Sequence, residues 1–333
     1  MSDTVLVVRE KRAGLRGALG AAGPLVALLA LVLLGAAVNP AFLGPDNISN
    51  VLTRSAIVGI IAVGTTFVIT AGGLDLSVGS MSALIAGLMI LAMNTLLPFL
   101  GAGWTTVLLG MGAALLLGLL CGGLNGLLVV VGGVDAFIAT LGTMGVFRSV
   151  LTWVANGGSI SLDFGLRSVA RPIYYGGVFG VSYPLLALVA VSVLGEVALR
   201  RMRFGRHVAA IGSNREVARY SAVRVDRVRV LTYVIQGVCV ALATLIYVPR
   251  LGAATPATGL MWELEAIAAV VIGGTALNGG FGRVWGSIVG VLILGLIQNI
   301  LNLSNLVSPY LNGAFQGVII VVAVVLQQRR KPR

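Results

Sequence analysis

A chain of 333 residues with 58% hydrophobic and only 10% charged side chains, and a mean hydropathy of +1.02, is far from the roughly 25% charge of a water-soluble domain. A soluble fold is excluded, and so is a β-barrel, because the apolar runs are long and continuous whereas barrel strands alternate apolar and polar residues. The net charge of +12 is dispersed in loops and tails rather than gathered on one surface, so no nucleic-acid partner is expected.

With about 20 apolar residues per crossing, the sequence predicts ten transmembrane helices near 20–38, 48–70, 77–97, 106–131, 136–155, 183–199, 228–248, 263–277, 284–303 and 309–327. The fold class is therefore an all-α polytopic membrane protein. A basic stretch from Arg9 to Arg16 ahead of an apolar run has the order of a signal peptide. The run from Gly17 to Val38 is nevertheless long enough to span, and Asn39-Pro40 is a poor cleavage site, so a retained first helix is expected.

Ten crossings put both termini on one side. That side also carries Arg9, Lys11, Arg12 and Arg16, nine Arg between Arg200 and Arg229, Arg283, and Arg329, Arg330, Lys331 and Arg333. The other side has only Arg54, Arg167, Arg171 and Arg250, and Arg148 falls within a span. By the positive-inside rule the termini and the 200–229 loop are cytoplasmic. No charged, Ser-rich or Pro-rich linker interrupts the helices, so residues 1–333 read as one transmembrane domain.

In chain order, the first polar cluster is Gly72-Gly73-Leu74-Asp75-Leu76-Ser77-Val78-Gly79-Ser80, on the inner side between two spans. Asp75 and Ser77 suit capping of the following helix, and the glycines also fit a hinge. The doublets Gly72-Gly73 and Gly79-Ser80 echo Gly279-Gly280 and Gly286-Ser287, which agrees equally with an internal repeat and with coincidence in a glycine-rich chain. Asn125, Thr140, Arg148, Asn156, Gln298, Asn299 and Asn302 lie in or at the ends of spans and should face the interior or a water-filled path. Asn125, Thr140, Asn156, Gln298 and Asn299 are the candidate path residues, and hydrogen bonding between helices is the competing use. The loop 157–182 reads as a wet outer rim.

Cys121 and Cys239 lie in apolar runs and read as buried small hydrophobes. His207 is the only histidine, which leaves no His-based metal site or Ser-His-Asp triad in the membrane. Lys11 and Lys331 are the only lysines, both terminal, so no Walker-type loop is present and ATP would have to be bound elsewhere. Glu263 and Glu265, two residues apart on a helix, point about 200° apart and do not form an acid–base pair. In the cytoplasmic loop, Asn214 is a good N-cap for a short helix over 215–221. Ala218 and Ser221, with Val217 alongside, form a small face that fits a groove on a partner; the alternative is a basic anchor on anionic lipid headgroups.

The chain resembles the permease subunits of bacterial monosaccharide ABC importers, the ribose, arabinose, xylose and galactofuranose group. The resemblance is carried by Ala62 to Ile69 leading into Gly72 to Ser80, by Ala136 to Gly142, and by Glu263 to Thr275. It implies an inner-membrane permease that moves a pentose or hexose, a second permease subunit, a cytoplasmic ATP-binding cassette protein that holds ATP and Mg, a periplasmic sugar-binding protein, and no cofactor in this chain. The segment 204–225 resembles the family's coupling segment, which implies coupling roles for Gly205, Gly212, Asn214, Glu216, Ala218 and Ser221. Two positions depart from the pattern: Val217 stands where an Ala is expected and Ala222 where a Gly is expected. The same family shape serves autoinducer-2, nucleosides and branched-chain amino acids, and from a different class an ion-gradient-driven secondary transporter is the alternative.

Overall fold

The structure, a computed structural model, describes residues 23–304 together with 311, 313, 314, 317 and 318. A short apolar helix, α1 (Gly23–Val38), opens the described region. Seven helices long and apolar enough to cross a bilayer follow: α2 (Pro45–Thr70), α3 (Val78–Leu100), α4 (Trp104–Val130), α5 (Ala136–Val154), α8 (Tyr183–Arg200), α11 (Val225–Leu251) and α13 (Val284–Ser304). Between them lie the short helices α6 (Phe164–Ala170) and α7 (Pro172–Tyr175) on one face and α9 (Arg203–Ser213) and α10 (Arg215–Tyr220) on the other. A half-length helix, α12 (Trp262–Ile272), precedes α13. Two-residue strands form two antiparallel pairs, β1 (Ile160–Ser161) with β4 (Ala253–Ala254) and β2 (Gly177–Val178) with β3 (Val181–Ser182). The protein is an all-α polytopic membrane protein. The tenth predicted span, 309–327, lies outside the described residues apart from isolated positions, as do both termini.

α2 and α11 form the centre, and their large side chains, among them Ile60, Phe67 and Tyr233, are buried. α4 lies so close to α11 that a Cβ on Gly118 would collide with the Gly237 carbonyl, the close backbone approach that small residues permit between membrane helices. Exposed Leu108, Leu120, Val189 and Leu194 on α4 and α8 form outward apolar surface, which meets acyl chains without penalty. Inner and outer below refer to the faces set by the arginine distribution.

One predicted element is corrected. The apolar stretch read as a span over 263–277 is helical only over the 11 residues of α12, roughly 16 Å against a hydrocarbon core of about 30 Å. Its end is set by Gly273 and by Gly274, whose φ of +93° lies where only glycine sits comfortably. Residues 252–261 lead to it as largely non-helical chain.

α3 also starts deep. Tyr233, early in α11, donates to the Leu74 carbonyl at 3.1 Å, whereas Ser82 of α3 pairs with Thr244 at 2.9 Å, the twentieth of the 27 residues of α11. Both helices run outward, since Asn94 donates to the Ser161 carbonyl beside the β1–β4 pair that follows α11. Residues 71–77 therefore climb from the inner end of α2 into the bilayer before α3 begins.

Candidate functional site

The two deep helix starts meet. A Cβ on Gly79, at the second position of α3, would collide with the Gly259 carbonyl and with the Glu263 carboxylate at the start of α12, and a Cβ on Gly259 would collide with the Gly79 carbonyl. The N-termini of α3 and α12 thus abut, backbone to backbone. Half-helix N-termini at mid-bilayer depth are a recurrent way for membrane transporters to build a site.

The α3 side of this junction is fixed by side chains. Asp75 is buried and accepts from the Ser77 amide at 2.9 Å and the Ser77 hydroxyl at 2.7 Å. Asn125 of α4 donates to Ser77 Oγ at 2.7 Å and lies 3.4 Å from both Asp75 oxygens. Thr140 Oγ1 accepts from the Leu76 amide at 3.2 Å. Asp75 supplies the turn before α3, while the Ser77 side chain makes no cap bond. The other side hangs on Arg148 of α5, which donates to the Pro256 and Thr258 carbonyls at 2.5 and 2.6 Å.

A cavity of about 300 Å³ opens between α2, α12 and α13, at the lower end of the roughly 300–1,000 Å³ of small-molecule sites. Its polar wall consists of Asn47, Asn50, Arg54, Glu265, Gln298, Asn299 and Asn302. Asn47 and Asn299 exchange amide hydrogen bonds at 3.0 and 2.8 Å. As the 200° separation predicts, Glu263 faces the junction and Glu265 faces this cavity.

The five candidate path residues fall in three places. Gln298 and Asn299 line the cavity. Asn125 and Thr140 are fully buried in the junction, because the unwound 71–77 backbone needs partners that its own chain cannot supply. Asn156 follows α5, exposed, with φ +49°. Asn47, Asn50 and Arg54 were not among the sequence candidates, although their spacing of i, i+3 and i+7 puts them on one helix face.

On the inner side, α9 packs Gly205, Val208 and Ile211 beneath the bundle, with Phe204 stacked on Phe67 at 6.0 Å. A Cβ on Gly205 would collide with the Leu199 carbonyl, and one on Gly212 with both the Thr70 carbonyl and the Gly280 amide. Gly280 N donates to Thr70 O at 2.9 Å, so α9, the end of α2 and the 273–283 loop touch at one point. The doublets Gly72-Gly73 and Gly279-Gly280 converge here, whereas Gly79 meets Gly259 and Gly286 meets Gly273. Close backbone approach accounts for glycine at Gly79, Gly279, Gly280 and Gly286.

Asn214 caps α10, accepting from the Glu216 and Val217 amides at 3.0 and 3.1 Å. The predicted docking face is corrected: Ala218 is 3% exposed and sits in the core with Val208 and Val225, while Val217 at 59% and Tyr220 at 89% face outward. The small Ala218 side chain seats α10 on its neighbours instead of meeting a partner. Glu216 and Ser221 are exposed, and Ser221 Oγ bonds back to the Val217 carbonyl at 2.9 Å. Ala222 has φ +58°, which explains why glycine is the expected residue there.

On the outer side, Arg167, Arg171 and Arg250 surround a cavity of about 470 Å³ with Phe164 and Tyr175. Arg171 lies over Tyr175 at 5.1 Å and Arg250 over Tyr174 at 5.5 Å. Burial pushes the Tyr174 phenol up, against the pull of Arg250 and Arg54, so it stays neutral beside them.

A long apolar bundle with an unwound interior, a polar cavity and a capped basic helix on the inner face is the build of a multi-pass membrane transport protein. Residues 47–324 match the family described as branched-chain amino acid transport system / permease component. The chain is 38% identical to the ribose import permease protein of Bacillus subtilis (strain 168) over 99% of both chains. It is 35% identical to the ribose import permease protein of Escherichia coli (strain K12), covering 92% of this chain and 93% of that one. With the xylose transport system permease protein of Escherichia coli (strain K12) it shares 33% identity, over 88% and 87%. The chain belongs to this family of ABC importer permeases, multi-pass transport components of the inner membrane.

Proposed function

We propose that this chain is the permease of a monosaccharide importer, carrying a pentose or hexose inward while separate cassette subunits bind Mg and ATP and hydrolyse it. The observation that carries the substrate class is the cavity between α2, α12 and α13. Five amide side chains line it, a group that carries both donors and acceptors, as sugar hydroxyls require, with Asn47 and Asn299 bonded to each other. Identity to ribose and xylose permeases supports the same class. Gln298 and Asn299 line the path, Asn125 and Thr140 hold the junction beside it, and Asn156 stands at its outer rim. Gly72 and Gly73 form a hinge at the inner end of α2, about which the turn held by Asp75 and Ser77 moves as a body.

The chain has no ATPase site of its own; its two lysines lie in the tails. A cassette seats on α10, with Val217 and Tyr220 outward, Glu216 and Ser221 at its edges, Asn214 starting the helix and Ala218 anchoring it. Gly205, against the end of α8, and Gly212, against α2 and the 273–283 loop, then pass its motion to the bundle. A second permease subunit completes the path about a two-fold axis. The outer arginines and exposed Phe164 and Phe179 fit an acidic rim on a periplasmic sugar-binding protein.

One observation favours a second solute: Arg54 and Glu265 share the cavity and offer opposite charges to a zwitterion such as a branched-chain amino acid. Proteoliposomes holding this permease with its cassette and binding protein decide between them. ATP-driven uptake of labelled ribose or xylose is expected, falling at least about ten-fold in Asn299→Ala, a loss of roughly 1.4 kcal/mol, with binding-protein affinity unchanged. Preferential leucine uptake would establish the amino-acid reading, and uptake driven by an ion gradient without ATP would overturn both.

A further inference from the structure

An apolar groove of about 460 Å³ runs between α2, α8 and α13, walled by Leu185, Leu188, Val189, Val193, Ile288 and Leu292. At its inner end it shares Glu196 and Trp285 with a second cavity of about 540 Å³, lined by Arg200, Phe281 and Arg283. The two cavities adjoin at these shared walls, one oily along the bilayer and the other basic at the cytoplasmic surface.

Their dimensions and charge select an occupant. From Leu185 to Glu196 the wall follows α8 over 12 residues, a rise of roughly 16 Å, close to the thickness of one leaflet in a hydrocarbon core of about 30 Å. Glu196 is already engaged: one oxygen accepts from the Val284 and Trp285 amides at 3.0 and 3.4 Å, and the other meets Arg200 at 3.4 Å. Arg283 lies over Phe281 at 5.1 Å, and among the described residues its buried Nε has no hydrogen-bond partner. Two guanidiniums against one committed carboxylate leave a single positive charge, which matches one phosphodiester. A free phosphate would leave the apolar groove unused.

We infer that this space holds an anionic glycerophospholipid of the inner leaflet, with its phosphate between Arg200 and Arg283 and an acyl chain along α8 and α13. The headgroup then rests on the 273–283 loop, whose Gly280 touches both Thr70 and Gly212. Lipid occupancy steadies the point where α9 meets the bundle and so regulates coupling.

Native mass spectrometry of the purified permease, after exchange in vesicles of equal phosphatidylglycerol and phosphatidylcholine, reads the site directly and does not depend on which solute is carried. Wild type is expected to retain phosphatidylglycerol over phosphatidylcholine. Arg200→Gln and Arg283→Gln should each lower that retention about five-fold, while Arg200→Lys and Arg283→Lys keep most of it. Val193→Trp, which fills the groove and spares both arginines, should also release the lipid. In the full importer, phosphatidylglycerol should raise ATPase activity in wild type and not in the double Gln variant. Equal retention of both lipids, unchanged retention in the double Gln variant, or a disulfide from Val193→Cys to a cysteine placed in 309–327 or to a second copy would overturn the inference.

Discussion

The two chain segments that meet in mid-bilayer are held in opposite ways. Residues 71–77 are tied by a buried network in which Asp75, Ser77, Asn125, Thr140 and Tyr233 each contribute a bond. From outside the segment, residues 255–261 are held chiefly by one arginine, Arg148, through two carbonyls, and by the touching backbones of Gly79 and Gly259. Dense bonding makes a segment that moves as a body, whereas a single anchor makes one that swings when it is released. The inner entrance to the junction is thus the rigid part, and the outer one is the part able to yield.

Breaking the dense side should cost most. Asp75→Ala leaves the Ser77 hydroxyl and the Ser77 amide without their acceptor and takes from Asn125 its longer contacts, and at about 1–3 kcal/mol per buried unpaired group a loss of roughly 4 kcal/mol in thermal or denaturant stability is expected. Arg148→Met should cost less, about 2 kcal/mol, and should raise hydrogen exchange across 255–261 while leaving 71–77 protected. If Arg148→Met exposes both segments equally, the contrast between a rigid and a yielding side is wrong.

The proposed coupling helix, α10, sharpens the comparison at smaller cost. Tyr220→Asp, on the outward face, should change stability by no more than about 0.5 kcal/mol yet abolish stimulation of the cassette ATPase by the loaded binding protein. Ala218→Asp buries a charge and should destabilise the permease as well as uncouple it, and the two variants together separate docking from seating. The smallest effect is a gain: Ala222→Gly should stabilise by about 1 kcal/mol, because φ +58° strains any side chain, measurable as a raised Tm.

Much of the fold was legible because hydropathy over 20 residues is a strong signal, and α2, α3, α4, α5, α8, α11 and α13 fall where the apolar runs lie. The truncation of α12 was not, since Ala266 to Ile272 is apolar throughout and hydropathy is blind to Gly273-Gly274 acting as a stop. Asn214 as a cap could be read locally. The orientation of Ala218 could not, because a helix of six residues with apolar side chains on two faces has no usable period. Gln298 and Asn299 stood out as amides inside an apolar run, whereas Asn47 and Asn50 were hidden at a helix start where polar residues are ordinary. The meeting of Gly79 and Gly259 links positions far apart in sequence, and no local pattern carries it.

The contact of Gly212 with Thr70 and Gly280 has a mechanical meaning. Where side chains lie between two elements, their rotamers act as a cushion, and part of any stroke is absorbed before it reaches the neighbour. Here peptide groups bear directly on peptide groups, so there is almost no slack, and any displacement of α9 would reach α2 and the 273–283 loop at once. A transmission built this way trades tolerance for timing: a single added methyl at Gly212 would hold the three parts apart and delay or lose the stroke.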